Sequence, residues 1–505
     1  MSFKTRRISE GSSRRGVWGK LIVALGMRLW KPLVHRFTIA QKRREEEEDK
    51  NRRLALLKKI AVILAGVFAV LLIFGAIVKG LIALRIVQLD NFLSIAGTEL
   101  ARDEHGFTNV LLLGAGDKDH DGVNLTDSIM VASIDPSRTR SIAMLSITRD
   151  LYVLKSDKMG AGRINSLYRD YRYVLERQGM EKSAASQEAL RQLGREIGTM
   201  LGVTIHHVVK ADFTGFVRAI DAVGGVDVDV SEDIVDTLYP GPNYTYDTFS
   251  IRAGPQHLDG ETALKYVRSR HTTSDFGRSA RQQQVLSSLR QKAEKEGWAR
   301  DPGKILELLS ILAEHVETTM SFREMVGGAA LGRKIDQRNI LAMQLNDRAA
   351  LDSSIAEPGG VLYAPPRDEF EGASVLLPIS FPPEPVTWRQ IHTLVDVFMR
   401  KRELLLPRLP IAVLNASAKT GLAGKLGNEL TRYGFDVQKT ANAAIKQDAS
   451  VISGPEEPPV ARELSNILQI PYVEAPATAT GITIVLGKSF TYTPIQLLLP
   501  APVRP

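Results

Sequence analysis

The sequence has 505 residues, of which 44% are hydrophobic, so it is long enough for two or three folded domains with ordinary cores. It contains no cysteine, which excludes disulfide bonds, thiolate metal sites and cysteine nucleophiles. The formal net charge is +8, but much of the basic excess precedes residue 60, ahead of a long apolar run. That placement favours interaction with a membrane over binding of nucleic acid.

The apolar run, residues 60–78, contains only apolar and glycine residues. Its length matches the roughly 20 residues that an α-helix needs to cross a hydrocarbon core of about 30 Å. Because arginine and lysine are frequent before it, the positive-inside rule places the N-terminus in the cytoplasm. The sequence therefore predicts a cytoplasmic basic tail over 1–59, a single transmembrane helix over 60–78 and a spacer over 79–106.

Beyond the spacer the sequence shows short apolar runs with the length and composition of β-strands. The first is TNVLLLG at 108–114, and the third, at 141–147, is followed by polar residues. Strands are predicted over 108–114, 128–134, 141–147 and 226–230.

Helices are predicted between and after these strands. Apolar residues at helical spacing mark one helix that reaches Leu201, and Asp212 is placed to cap the next, which stops at Gly224 and Gly225. Further helical patterns cover 281–293 and 305–316. The alternation of strands and helices predicts an α/β domain that continues to about residue 345.

The composition then changes. Residues 346–407 are rich in proline and glycine, with one helical pattern near 391–404, and are predicted to be a linker. Residues 408–505 show strand, helix and strand twice in succession and contain no residue that suggests catalysis. The predicted fold class is α/β, with a central mixed sheet surrounded by helices after one transmembrane helix, and a small C-terminal α/β domain.

Two carboxylates of the central domain are placed to bind a cation. Asp127 lies at the start of one predicted strand, and Arg149 and Asp150 follow the end of the next. Strand ends are where sheets present ligands, and two carboxylates there suit a divalent cation such as Mg²⁺. For either aspartate alone, an exposed strand end without a ligand is the commoner situation.

Arginine residues of the same domain indicate a polyanionic ligand. Arg163 lies in GRINSLY, and Arg268 and Arg270 are two residues apart, so they point the same way in an extended segment. In the following helix, Arg278 and Gln282 are four residues apart on an inward stripe. A salt-bridged core explains any one of these arginines, but together with Arg149 they exceed what a core holds unpaired. A pyrophosphate would supply the missing negative charge.

Rival sites have weaker support. Asp117, Asp119 and Asp121 are spaced like the start of a calcium-binding loop, but Ser128 stands where such loops carry glutamate. The glycines at 114 and 116 lack the third glycine and the helix of a dinucleotide-binding turn. Nothing resembles a helix-turn-helix, so no nucleic acid partner is predicted.

These segments, in this order, resemble the LytR-CpsA-Psr family of bacterial cell-envelope proteins. The resemblance covers about 107–345, which is identified as the catalytic domain. The C-terminal segment that begins IAVLNAS and ends TIVLGK resembles the LytR-type domain often appended to such proteins, over 408–505. The motifs that carry the resemblance are NVLLLG, LTDSIMV, SITRD, RINSLY, DFTGFVRAIDAVGGVDVDV and LDGETALKYVRSR followed by DFGRSARQQ.

The resemblance implies transfer of a phosphoglycosyl polymer from an undecaprenyl pyrophosphate carrier to peptidoglycan, or to an equivalent wall acceptor, outside the plasma membrane. By position, Asp127 and Asp150 would bind Mg²⁺, with Mn²⁺ as an alternative. Asp275 would orient arginines or accept the proton of the acceptor, acting in catalysis with Arg149 and Arg278. The residues implied to hold the pyrophosphate are Arg163, Arg268, Arg270, Arg278 and Gln282.

Two departures from the family pattern concern the approach to the phosphate. Thr148 stands where proline is common, and Leu125 where arginine is frequent. Two other functions need the same pocket: binding of lipid-linked intermediates without turnover, and hydrolysis with water as acceptor. The sequence does not separate these functions from transfer.

Overall fold

In a computed structural model, the parts of the chain that are described begin at residue 98. They are residues 98–116, 123–154, 156, 158–240, 245–269, 275–296, 315–332, 334–349, 356–379, 387–476 and 479–499. The predicted tail and transmembrane helix lie outside these residues, as do Asp117, Asp119 and Asp121. Within the described parts, no helix combines the length and apolar character that crossing a bilayer requires.

The β-strands are short, and most lie before residue 345. In chain order they are β1 (Thr108–Ala115), β2 (Thr126–Asp135), β3 (Ser141–Ile147), β4 (Tyr152–Val153), β5 (Gly162–Arg163), β6 (His207–Asp212), β7 (Val226–Val230), β8 (Ile234–Pro240), β9 (Tyr246–Ile251), β10 (Gly254–Leu258), β11 (Val316–Thr318), β12 (Ile340–Gln344), β13 (Leu362–Tyr363), β14 (Leu377–Pro378), β15 (Ile411–Asn415), β16 (Val437–Asn442), β17 (Val451–Gly454), β18 (Tyr472–Glu474) and β19 (Ile482–Leu486). The predicted strands at 108–114, 128–134, 141–147 and 226–230 are confirmed as β1, β2, β3 and β7.

The α-helices lie between or after groups of one or more strands. In chain order they are α1 (Ile164–Arg177), α2 (Lys182–Leu201), α3 (Phe213–Ala222), α4 (Gly260–Arg268), α5 (Asp275–Lys295), α6 (Phe322–Gly332), α7 (Arg389–Val395), α8 (Leu422–Arg432), α9 (Val460–Leu468) and α10 (Ile495–Leu498). Of the predicted helix at 305–316, the structure describes only residues 315 and 316, and Val316 lies in strand β11.

The central sheet has six strands in the order β11-β6-β1-β2-β3-β12. Strand β1 is antiparallel to β2 and parallel to β6, and β3 is antiparallel to β2 and parallel to β12. As a result, β2 begins at the same end of the sheet at which β1, β3, β6 and β12 finish. We call this the Asp127 end of the sheet.

Helices α1 and α2 cover one face of the central sheet. Alternate residues of a strand point to the same face, so Leu111, Val131 and Leu145 meet the buried stripe of α2, which includes Leu190 and Leu193. All five side chains are fully buried. Burial of each such side chain contributes about 1.5–3 kcal/mol.

The predicted limits of α3 are confirmed. Asp212 Oδ1 accepts a hydrogen bond of 2.7 Å from the backbone N–H of Gly215, as an N-cap should. After the helix, Gly224 and Gly225 have φ angles of +74° and +85°, which stop it. Around α3, α4 and α5 lies a second, smaller core with strands β7 to β10.

The predicted linker contributes directly to the main core. Helix α7 continues as a π-helical turn (Asp396–Arg400) and a 3₁₀ turn (Arg402–Leu404), and Phe398 is 1% exposed. Arg402 is fully buried and donates hydrogen bonds to Ser133 Oγ at 2.7 Å and to the Ser133 carbonyl at 2.9 Å. This segment therefore packs against the central sheet rather than serving only as a spacer, because its apolar residues cluster between the prolines. The predicted domain boundaries stay predictions.

The C-terminal sheet has five strands in the order β16-β15-β19-β17-β18. Strands β15 and β16 are parallel and are joined by helix α8, so they form one β-α-β unit. Strands β17 and β18 are also parallel and are joined by α9, so they form a second unit. Strand β19 pairs with both units and joins them. Two α/β halves are present, as predicted, but the second closes with β18, and the final strand β19, which was predicted to close it, runs antiparallel to β17.

Candidate functional site

Four charged residues meet at the Asp127 end of the central sheet. Arg149 Nη1 lies 3.3 Å from Asp127 Oδ1, and Arg149 Nε lies 3.7 Å from Asp150 Oδ2. Arg163 Nη1 lies 3.7 Å from Asp150 Oδ1. The structure thus brings together Asp127, Arg149, Asp150 and Arg163 as one charged cluster, and its side chains are between 20% and 47% exposed.

Strand register explains this meeting. Ile129 of β2 pairs with Ile147 of the antiparallel strand β3. Asp127 lies two residues before Ile129 and Arg149 lies two residues after Ile147, so the two residues fall opposite each other. Strands β4 and β5 are antiparallel and Tyr152 pairs with Arg163, so the chain returns to the charged cluster at Arg163.

Asn165, in the first turn of α1, is a site residue that the sequence analysis did not single out. Its Nδ2 donates a 3.1 Å hydrogen bond to Asp127 Oδ1, and its backbone carbonyl accepts one of 3.2 Å from Thr126 Oγ1. Asn165 Oδ1 is buried and has no hydrogen-bond partner in the described part of the chain. The motif RINSLY contains this residue, but only its arginine carried an obvious charge signal.

Arg268 is held between two aromatic rings. Its guanidinium carbon lies 4.3 Å from the centroid of Phe213 and 5.5 Å from that of Tyr239, and Nη1 donates a 3.2 Å hydrogen bond to the Tyr239 hydroxyl. Burial raises the pKa of Tyr239, and the positive charge of Arg268 opposes that rise. The hydroxyl therefore stays protonated at neutral pH and accepts the hydrogen bond from Arg268.

Helix α5 approaches the same sheet end from the opposite face. Gln282 Oε1 accepts a 3.1 Å hydrogen bond from Ser128 Oγ, so this predicted residue contacts the residue that follows Asp127. Arg281 is buried and donates to the carbonyls of Tyr266 and Ser269, so it stabilises the junction of α4 and α5.

Three predicted site residues are not placed. Arg270 lies outside the described residues, and of Asp275 and Arg278 only the backbone, in the first turn of α5, is described. Their assigned roles stay predictions.

A buried lysine anchors the loop that precedes Asp127. Lys210 Nζ lies 2.7 Å from Glu317 Oε1, donates a 3.3 Å hydrogen bond to Asn124 Oδ1, and sits 4.8 Å from the centre of the Tyr168 ring. Burial works to raise the pKa of Glu317, but Lys210 lowers it to below its ordinary value. Glu317 is therefore ionised at neutral pH and balances the lysine.

The oxygen atoms around Asp127 fit a hard divalent cation. In the described residues no cluster of three or more histidine, aspartate or glutamate side chains is arranged to hold a metal ion. Mg²⁺, however, keeps several waters and needs only one or two protein carboxylates. Asp127 and Asp150 provide two, and Asn165, whose Nδ2 donates to Asp127, has an Oδ1 atom without a partner among the described residues.

Several known proteins are similar to this chain. The cell wall biosynthesis protein LcpA of Corynebacterium glutamicum is 27% identical over 406 residues, covering 74% of this chain and 71% of the relative. The polyisoprenyl-teichoic acid–peptidoglycan teichoic acid transferase TagU of Bacillus anthracis is 28% identical over 282 residues, covering 53% of this chain and 81% of TagU. TagV of Bacillus subtilis, a transferase described in the same words, is 30% identical over 229 residues, covering 44% of this chain and 52% of TagV.

Solved structures also resemble this chain. The crystal structure of B. subtilis TagV matches with a TM-score of 0.41 and 23% identity, covering 58% of this chain and 97% of TagV. A structure of TagT bound to LI-WTA matches with a TM-score of 0.36 and 20% identity, covering 55% of this chain and 91% of TagT.

Two family patterns match the sequence. The pattern described as LytR cell envelope-related transcriptional attenuator matches residues 408–490, within the predicted C-terminal domain. The pattern of the LytR_cpsA_psr family matches residues 91–369, which extends the predicted 107–345 at both ends. Because that match covers more than half of the 505 residues, this chain belongs to the LytR_cpsA_psr family.

Proposed function

We propose that this chain transfers a phosphoglycosyl polymer from an undecaprenyl pyrophosphate carrier to peptidoglycan or an equivalent cell-wall acceptor, forming a phosphodiester. The observation that carries the proposal is the position of Arg149 between Asp127 and Asp150, with Arg163 beside them. The names of TagU and TagV supply the chemistry of the two substrates: a polyisoprenyl-linked polymer and peptidoglycan.

The charges of the cluster support a role for a metal ion. Asp127 and Asp150 offset the charges of Arg149 and Arg163, so these four residues carry no net charge. Binding a pyrophosphate therefore needs more positive charge, which Arg268 and a divalent cation on the two carboxylates would provide. We propose Mg²⁺, or Mn²⁺, held by Asp127 and Asp150. Bound there, the ion would neutralise charge on phosphate oxygens.

The arginine contacts favour phosphate binding. Arg149 Nε is buried and makes no hydrogen bond within the described residues, although it lies 3.7 Å from Asp150 Oδ2. A buried donor without a partner is costly, and a phosphate oxygen would satisfy it. Arg268 is fixed by Phe213 and Tyr239 before any ligand binds, so little ordering is needed when it contacts the donor.

The reaction itself is a displacement at phosphorus. The acceptor hydroxyl oxygen forms a bond to the phosphorus that carries the glycan, and the bond from that phosphorus to the bridging oxygen breaks. Polyprenyl phosphate leaves, and the hydroxyl proton passes to a base, for which Asp275 is the candidate. Arg149, Arg163 and Arg268 stabilise the charge that develops on the oxygens.

We further propose that the chain is a single-pass plasma membrane protein with a cytoplasmic N-terminus and an extracytoplasmic catalytic domain. The apolar run at 60–78 and the basic residues before it support this orientation. A membrane anchor would keep the site close to a carrier that cannot leave the bilayer.

The test is an assay of the full-length protein in lipid nanodiscs with Mg²⁺, a synthetic polyprenyl-pyrophosphate-linked glycan and peptidoglycan fragments. Mass spectrometry should detect polyprenyl phosphate together with a phosphodiester-linked glycan on the fragment. Release of the lipid with no linked product would indicate hydrolysis. The transfer mechanism is wrong if no lipid phosphate is released, or if Asp127→Asn and Arg149→Ala release it as fast as the parent.

A further inference from the structure

An aromatic pair borders the charged cluster. The rings of Tyr152 and Phe370 meet edge to face, with centroids 4.9 Å apart and planes at 69°. Phe370 ends a 3₁₀ turn (Arg367–Phe370) in the segment predicted to be a linker. That segment is fastened to the site, because the Leu376 N–H donates to the Asp150 carbonyl and the Leu376 carbonyl accepts from the Tyr152 N–H, both at 2.9 Å.

The pair lies close to the groups proposed to bind phosphate, because Tyr152 follows Asp150 by two residues. Tyr152 stands directly opposite Arg163 across the β4–β5 pair, and opposed side chains of antiparallel strands share one face, with Cβ atoms about 5 Å apart. Arg163 in turn reaches Asp150 at 3.7 Å. A group covalently attached to a phosphate at Arg163 would therefore meet the Tyr152 ring.

The exposed chemistry of the pair suits a sugar. Both rings are only partly buried, and within the described residues the Tyr152 hydroxyl has no hydrogen-bond partner. A pyranose ring has an apolar C–H face and a polar hydroxyl rim, so it complements an aromatic face flanked by hydrogen-bonding groups. The exposed carboxylates of Asp368 and Glu369, in the same turn as Phe370, can accept hydrogen bonds from hydroxyl groups.

We infer that Tyr152 and Phe370 form a saccharide subsite for the sugar joined to the pyrophosphate of the donor. The inference rests on the proposed function, since it takes the phosphates to lie at Arg149 and Arg163. The sugar directly attached to the phosphate is the part of either substrate nearest to Arg163, which favours the donor over the acceptor glycan. The subsite makes the enzyme sensitive to the first sugar of the polymer, whereas the arginines respond only to the phosphates.

The test compares two probes with full-length protein in nanodiscs: a polyprenyl pyrophosphate without sugar, and the same lipid carrying one hexose. Phe370→Ala and Tyr152→Ala should each weaken binding of the sugar-bearing probe about tenfold, equivalent to about 1.4 kcal/mol. Binding of the bare pyrophosphate should change less than about twofold. Tyr173→Ala is the control, because Tyr173 is a 59% exposed aromatic at the other end of α1, outside the site.

Conservative variants guard against loss of folding. Phe370→Leu keeps the apolar volume without the aromatic ring, and Tyr152→Phe removes only the hydroxyl. Each variant should retain the parent melting temperature and still bind the sugar-bearing probe more weakly. The subsite is wrong if these variants affect both probes equally or neither probe, while Arg149→Ala weakens both. If Arg149→Ala leaves both probes unaffected, the proposed function itself fails.

Discussion

The central and C-terminal sheets are both covered by helices, but the polar side chains at their strand ends have different partners. At the end of β15, Asn415 Oδ1 accepts hydrogen bonds from Ser417 N and Oγ at 3.0 and 2.7 Å, and Nδ2 donates to the Lys419 carbonyl at 2.7 Å. At the end of β3, Arg149 shares two carboxylates at 3.3 and 3.7 Å. The polar groups at the end of β15 are hydrogen-bonded within their own turn, whereas Arg149 and its two carboxylates at the end of β3 can still bind a ligand.

The carboxylates of the two sheets show the same contrast. Glu429 of α8 is 2% exposed and accepts hydrogen bonds from the Ile495 N–H at 2.6 Å and from the Tyr492 hydroxyl. Asp127 and Asp150 are 36% and 20% exposed, and both contact Arg149. Glu429 therefore has a structural role, and substitutions in the two sheets should separate stability from catalysis.

Arg149→Ala should produce the largest loss. It removes the cation shared by two carboxylates, and loss of one preorganised charge-stabilising donor lowers a turnover rate by about 10²–10³. Single-turnover release of polyprenyl phosphate measures it. Arg338→Ala, which removes an 88% exposed surface arginine, is the matched control. A fall of less than about fivefold would remove Arg149 from the phosphate site.

Asp150→Asn should come next. It keeps the shape of the side chain but removes a carboxylate, so Mn²⁺ affinity, followed by electron paramagnetic resonance without substrate, should drop about tenfold or more. Raising the metal concentration should restore part of the transfer rate. Glu463→Asn changes an exposed acidic residue on α9 and should leave Mn²⁺ binding unchanged. Equal Mn²⁺ affinity in parent and Asp150→Asn would exclude this carboxylate as a ligand.

Arg402→Met should affect stability rather than catalysis. The side chain is fully buried, and its loss leaves the Ser133 carbonyl and hydroxyl without their hydrogen-bond donor, at a cost of about 3 kcal/mol. Urea unfolding in detergent measures the change in free energy. Arg462→Met, at a 54% exposed surface pair, should change it by less than about 1 kcal/mol. If Arg402→Met is equally mild, the segment after α7 is not an integral part of the core.

Glu429→Gln should give the smallest effect, visible in its pH dependence. Burial raises the pKa of Glu429 above its ordinary 4.5. The folded state therefore binds the proton more tightly than the unfolded state, so the contribution of this group is fullest below pH 4.5 and declines as pH rises through the raised pKa. The difference in unfolding free energy between parent and variant should shift in that direction. A difference independent of pH would contradict it.

The sequence was sufficient for features that depend on local periodicity. Short apolar runs located β1 to β3, and an aspartate before an apolar helical stripe correctly identified the cap of α3. Asp127 and Arg149 were expected near each other because both flank neighbouring strands, and register places them opposite each other. These properties need only the spacing of residues close in the chain.

What could not be predicted depends on contacts between distant segments. Phe370 meets Tyr152 from a region whose proline and glycine content indicated a linker. Asn165 lies in a helix turn where neutral amides give no pattern. On α5, a stripe fixes orientation only to within about one residue, which is why Arg281, beside the predicted Gln282, takes the buried position.

The tether between Lys210 and Asn124 has a practical consequence for protein engineering. It fastens the chain three residues before Asp127, on the far side of the segment 117–122 from β1. Changes in the length of 117–122 should therefore stop at Asn124 and leave the carboxylate in register with β3. Lys210→Met removes this tether and should let such changes shift Asp127 out of that register.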